Sequence, residues 1–393
     1  MTLARTGGQH FPVLDGVRGM AIVMVLCVHF IGDSPASTGL GRAMVKLANY
    51  GIWGVDLFFV LSGFLITGLL YDAKGSPRYF RNFYVRRTLR IFPLYYAVLA
   101  LLFVLLPLLP TPYPAGLAES ARHQSWLWLY ASNVYLAIHR GWVLPYVGHF
   151  WSLAVEEQFY LLWPIVVLSF SRRSLLKLCV AVTVLAFALR SALAFAGAGG
   201  VAQLVLTPCR LDALCVGGFL ALAVRCAPLA RVARMARRSL GPLLCSILLV
   251  SGWNALQGSG ASVLLPLRGT LIALTFGSVL AVSLDARTST AWSRLLRSRV
   301  MCFLGTRSYG LYVFHGIIAY GLGEHPGILH RLRSSVGEDA GIILEAAAGA
   351  ALSVAVAAIS YELFEKRFLR LKSRLAPSGR AAAMAPLGAG SAE

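Results

Sequence analysis

Ten stretches of this sequence are apolar and long enough, or nearly so, to cross a bilayer, and that restricts the fold more than any other feature. They lie near residues 13–31, 51–71, 89–109, 150–170, 175–197, 211–225, 240–256, 265–284, 303–322 and 341–363. In hydrocarbon every backbone N–H and C=O must find a partner within the chain, so spans of this kind are helices. Only 13% of the 393 residues are charged, about half the share usual in a soluble domain. The predicted fold is an all-α integral membrane protein with about ten transmembrane helices. The sixth and seventh spans are short. The aromatic stretch 126–136 is too short to cross and is expected to lie in the interface or to re-enter the membrane.

The net charge of +20 would suit a nucleic acid, but its placement argues against one. The basic residues fall between the apolar segments, which is the pattern of membrane topology. With the N-terminus inside, the cytoplasmic segments hold 25 Lys and Arg and the outer loops 6. That asymmetry predicts a multi-pass protein with both termini cytoplasmic, and the expected location is a bacterial-type inner membrane. The first apolar run has no cleavage pattern after it and is expected to be retained. Residues 1–372 read as one polytopic membrane unit. Residues 373–393, rich in Ala, Gly and Pro, read as a disordered cytoplasmic tail. The seven cysteines show no CxxC and read as small buried hydrophobes. No metal site is expected.

Polar residues inside the spans are costly and are usually retained for function. The first span carries Asp15, Arg18 and His29. Arg18 and His29 are eleven positions apart, which on a regular helix brings them within about 20° of one face and about 16 Å apart along the axis. Asp15 stands at salt-bridge spacing from Arg18. The second span carries Asp56, with Gly51, Gly54, Gly63 and Gly68 permitting close helix contact. Arg81, Arg86, Arg87 and Arg90 cluster before the third span, with Arg86 and Arg90 sharing a face. Such a cluster can bind phosphate, anchor anionic lipid or set topology. Glu156 and Glu157 are about 100° apart on the fourth span, so at least one must face a polar interior. Arg210, Asp212, Tyr309, Tyr312, His315, Glu345 and Glu362 complete the set. So many polar groups fit either an enzyme or a transporter of a polar solute.

Taken in order, these stretches resemble the acyltransferase-3 family of integral membrane O-acyltransferases. The resemblance runs from Leu14 to about Phe368 and rests on six features. They are the Arg18-x10-His29 pair, GVDLFFVLSGFLI at 54–66, the basic FYVRRTLRIFPLYY, HFWSLAVEEQFYLLWP, RLDALCVGGFLA and LGTRSYGLYVFH. One departure lies at YELFEKRFLRL, where the family often has a Glu-Pro pair, so no role is carried to Glu362 or Glu365. The resemblance implies transfer of an acyl group, usually acetyl, from acyl-CoA to a hydroxyl. Acyl-CoA is then a donor substrate, and no permanently bound cofactor is expected. The implied acceptor is a cell-surface or lipid-linked glycan. A macrolide or another small glycosylated metabolite is the alternative, and a polar-solute transporter remains the alternative of another class. No additional soluble domain is expected.

Within that reading His29 is the candidate general base. Arg18, Arg86, Arg87 and Arg90 are the candidate ligands for the donor phosphates. Glu156 is expected to orient His29 or to bind acceptor hydroxyls, and Asp56 to do either. Direct transfer and an acyl-enzyme on Ser62 or Ser152 both stay open.

Overall fold

A computed structural model describes residues 12–256, 264–285, 290–324 and 336–376. All regular structure among them is helical. Arg5, Arg287, Arg331 and Arg333 of the charge count lie outside the described residues, as does the expected tail from residue 377 onward. The last helix runs to Leu375, three residues past the expected boundary at 372.

Helix α1, Pro12–Cys27, opens the chain and continues as a π-turn over Val28–Gly32. A short amphipathic α2, Gly39–Asn49, leads into α3, Trp53–Asp72. α4 spans Tyr79–Ala100 and runs on irregularly to Leu108. Three short helices follow: α5, Ala115–Ala121, α6, Ser125–Trp128, and α7, Ser132–His139. Then come α8, Trp151–Ser169, α9, Arg172–Phe195, α10, Gly199–Val205, and α11, Thr207–Cys226. α12 is Leu229–Leu256, and α13 is Leu265–Leu284. α14, Ala291–Leu296, and α15, Arg299–Thr306, precede α16, Ser308–Glu324. α17, Glu338–Ser360, and α18, Lys366–Leu375, close the fold, joined by a π-turn over Tyr361–Glu365.

Six of these helical stretches are long and apolar enough to cross a membrane, and the bent pair α10–α11 would make a seventh. The chain is therefore a multi-pass helical membrane protein. Each of the ten apolar stretches has a helix in the structure. α8 carries Glu156, Glu157 and Gln158 in its second turn, and α16 has only 17 residues.

Two contacts set the centre of the bundle. Helices in lipid gain little from apolar burial and associate by close packing, which small residues allow. Gly63 of α3 lies against the carbonyl of Leu214 on α11, and Gly217 of α11 against the carbonyl of Val60. Neither site has room for a Cβ, so the two backbones meet directly. α1 then packs across α3, its carbonyls at Ala21 and Met24 meeting Gly54 and Gly51.

The aromatic stretch 126–136 docks against the bundle rather than lying apart from it. The hydroxyls of Tyr95 and Tyr96 on α4 donate to the carbonyls of Leu127 and Trp128 at 2.8 and 3.2 Å. Gln158 donates to the Tyr130 carbonyl at 2.9 Å. Tyr79 and Tyr84 tie α4 to the proline-bearing part of α8 by donating to the carbonyls of Pro164 and Leu161. These bonds fix the arginine-bearing face of α4 opposite the glutamates of α8.

Candidate functional site: a polar cavity across the bundle

Between α1, α3, α4, α8 and α16 lies a cavity of about 820 Å³, its open mouth included. Its polar lining comes from Arg18, Arg87 and Arg90, from Glu156 and Glu157, and from Ser62, Ser152, Tyr160, Ser308, Tyr309 and Tyr312. Val55, Phe58, Phe59, Leu65 and Ile91 supply apolar walls.

The three arginines stand at one end. Arg18 binds Asp15 at 2.7 Å, one turn earlier on α1, as their spacing predicts. Arg87 and Arg90 are three apart on α4, and both face inward. Arg87 lies over the Tyr160 ring, 5.4 Å from its centre, and Tyr160 shares a hydrogen bond with Ser62. Glu156 sits among Ser62, Tyr160 and Arg87. A carboxylate oxygen of Glu157, Oε1, is buried with no hydrogen-bond partner among the described residues. Such a group is costly unless something polar reaches it.

Beyond the lining, next to Tyr312, three histidines from three helical segments gather. The rings of His29 and His315 are 4.6 Å apart, edge to face, and those of His315 and His149 are 4.9 Å apart. Tyr312 joins them to the cavity. Its hydroxyl donates to the His149 carbonyl at 3.1 Å and lies 2.5 Å from the Ser152 hydroxyl. Ser152 and Tyr312 line the cavity, so the histidine cluster and the arginines share one polar seam.

The tautomers follow from the partners. Nδ1 of His29 lies 2.9 Å from the Val25 carbonyl. A carbonyl only accepts, so Nδ1 carries the proton and Nε2 of the neutral ring holds a lone pair. His29 is half-buried and sits in the π-turn of the first span. π-turns of this kind recur at functional sites because they displace a side chain from the regular helical face. His315 is held likewise, its Nδ1 donating to the carbonyls of Leu311 and Tyr312, and its buried Nε2 has no partner among the described residues. His149 is the opposite tautomer, donating from Nε2 to the Val313 carbonyl at 3.2 Å.

The structure brings Arg18, Arg87, Arg90 and Glu156 into the cavity lining, whereas His29 is not in the lining and connects to it through the rings of His315 and Tyr312. Two other expected residues stand elsewhere. Arg86 points out of the cavity and donates to the Ala376 carbonyl at 3.0 Å. Asp56 faces α11, where it pairs with Arg210, and is not part of the lining. Glu156 does not hold the Nδ1 of His29, because that proton goes to the Val25 carbonyl. Glu157, Tyr312, His149 and His315 stand out in the sequence as polar residues without a site role, whereas Ser62 and Ser152, the candidate covalent sites, both line the cavity.

The fold and cavity define a multi-pass membrane protein built around an internal polar seam. Residues 11–362 match the acyltransferase domain of the acyltransferase-3 family, and the chain belongs to that family. It is 28% identical to YrhL of Bacillus subtilis (strain 168) over 328 residues, covering 78% of this chain and 48% of that protein. It is 26% identical to the peptidoglycan O-acetyltransferase OatA of Listeria monocytogenes serovar 1/2a over 332 residues, covering 79% and 50%. Identity to the O-acetyltransferase OatA of Staphylococcus aureus (strain NCTC 8325 / PS 47) is also 26%, over 330 residues, covering 78% and 50%. This chain thus aligns with about half the length of these relatives. No solved structure matches it.

Proposed function

We propose that this protein transfers an acetyl group from acetyl-CoA to a hydroxyl of a cell-surface or lipid-linked glycan. The observation that carries this reading is a cavity lined by three arginines and joined through Tyr312 and His315 to His29, whose Nε2 carries no proton. A thioester donor on a long phosphate-bearing arm needs such a site. Arg18, Arg87 and Arg90 suit the phosphates, since guanidinium groups bind phosphate in bidentate fashion. The acceptor hydroxyl approaches His29, whose Nε2 takes its proton as the oxygen attacks the thioester carbon. The tetrahedral intermediate collapses by breaking the carbon–sulfur bond. The proton returns to the sulfur, leaving an ester and a free thiol. The peptidoglycan named for the OatA of Listeria monocytogenes favours a glycan acceptor.

The topology we infer has ten spans with both ends cytoplasmic. Contacts support it, because every pair that joins distant chain ends keeps to one side. Arg225 binds Asp72 at 2.5 Å, Lys74 donates to the Phe170 carbonyl at 2.6 Å, and Arg86 reaches Ala376, all at ends counted as inner. Tyr146 binds Glu324 at 2.5 Å and Arg140 donates to the Gly197 carbonyl at 3.1 Å, all at ends counted as outer. The arginines then face the cytoplasmic donor, and His29 lies toward the outer side.

The test supplies purified protein in detergent with labelled acetyl-CoA and a glycan acceptor, then measures thiol release and label on the glycan. Both are expected together. Absence of thiol release with every acceptor tried, alongside uptake of those solutes into proteoliposomes, overturns the reading in favour of transport.

A further inference from the structure

Behind the cavity wall formed by α3 lies a second polar cluster. Asp56 of α3 pairs with Arg210 of α11, and both side chains are buried. One turn-edge away Asp212 binds Arg190 of α9 at 2.7 Å, and Thr270 of α13 bridges them, 2.6 Å from Arg190 and 3.0 Å from Asp212. Arg190 also donates to the carbonyls of Cys209 and Pro266. Four charges of net zero thus tie four helices together, with none of them in the cavity.

Stability alone is a weak reason for such a cluster. Desolvating ion pairs costs several kcal/mol per ion, and apolar residues of similar volume often serve as well. What the cluster does supply is register. α3 and α11 meet backbone to backbone at Gly63 and Gly217, a contact that sets their separation and that the ion pair reinforces along the axis. The Asp56–Arg210 pair stands at the outer end of that contact and admits one axial setting. The guanidinium of Arg210 also lies over the Phe59 ring, 5.6 Å from its centre, and Phe59 meets Trp151 edge to face at 6.0 Å. Phe59 lines the cavity, and Trp151 precedes Ser152, the partner of Tyr312.

We infer that Asp56 is a positioning residue: its ion pair with Arg210 sets the register of α3 on α11 and so places Phe58, Phe59 and Ser62 on the cavity wall. Its bearing on catalysis rests on the acyl-transfer reading above. The pairing itself does not.

The test replaces the pair by apolar residues, Asp56→Leu with Arg210→Met, in the full-length protein. Two quantities are measured beside melting temperature: acyl transfer from labelled acetyl-CoA, and the maleimide labelling rate of a Ser62→Cys probe, quantified by mass spectrometry on its own peptide. The expected variant melts like the wild type, loses about 100-fold in kcat/KM, as misplacement by about 1 Å can cause, and changes the probe's labelling rate several-fold. Wild-type transfer with an unchanged labelling rate overturns the inference. Should that variant fail to fold, Asp56→Glu with Arg210→Lys keeps the charges and alters only their reach. The same two outcomes then decide. A wild-type protein with no transfer activity sinks the acyl-transfer reading, and the labelling rate still decides the register.

Discussion

At the scale of single residues, the arginines of α4 show how far a sequence can go. Arg86, Arg87 and Arg90 stand at about 0°, 100° and 40° around a helix. Arg90 is therefore close to both neighbours, and spacing alone cannot say which of them shares its environment. The packing of α8 decides it: Arg87 and Arg90 face the cavity, while Arg86 reaches across to the carbonyl of Ala376. Under the proposed function, Arg87→Ala with Arg90→Ala should raise the donor KM about tenfold or more, as the loss of a charged hydrogen bond implies. Arg86→Ala should leave the donor KM within about twofold, since its lost bond lies outside the cavity. Equal effects from the two would return these arginines to a role in topology. His29→Ala should lower transfer by about 10²–10⁴-fold with the helical circular-dichroism signal unchanged. Full activity in that variant removes His29 from the chemistry.

Between helices, the glycines were legible as small residues that permit contact, but their partners were not. A helix apolar on every face, as α3 nearly is, offers no single stripe from which to read its neighbours. The structure gives Gly51 and Gly54 to α1 and Gly63 to α11. The π-turn at Val28–Gly32 was also hidden, because a run of apolar residues reads equally as a regular helix. Asp56 illustrates the same limit. Its cost in hydrocarbon was plain, yet a partner such as Arg210, 154 positions away in sequence, is chosen only by packing. The close approach makes its own prediction. Gly217→Val would push its Cβ into the carbonyl of Val60, with no flexible side chain to yield. Overpacking of this kind costs about 1–3 kcal/mol or more, so the melting temperature in detergent should fall by several degrees. Gly252→Ala on α12 meets nothing nearby, and alanine favours a helix over glycine by about 1 kcal/mol. Its melting temperature should hold or rise. A matching fall in both variants would deny α3 and α11 their close contact.

Two kinds of observation that do not depend on each other support the proposed topology. The Lys and Arg asymmetry of 25 to 6 is a property of the chain and needs no coordinates. Five of its residues lie outside the described structure, which leaves the asymmetry large. The contacts between distant ends are a property of packing alone, and charge bias does not create them. Ser37 binds Glu338, bringing the segment before α2 to the start of α17. The Cys302 thiol lies 3.4 Å from the Pro12 carbonyl, bringing α15 to the start of α1. Under the proposed topology the first pair belongs to the outer side and the second to the inner, and an odd number of spans between either pair would force them apart. The chain length between them sets the arithmetic. From Pro12 to Cys302 an even number of crossings is required, and between Ser37 and Glu338 likewise. Single cysteines placed at Ser76, Ser171 and Thr290 should therefore react only with a membrane-permeant maleimide in intact cells. Those at Thr111 and Gly199 should react with an impermeant one as well. The decisive comparison is Ser171 against Gly199, at opposite ends of α9. Equal access at both would remove α9 as a crossing and break the alternation on which the shared side of the two termini rests.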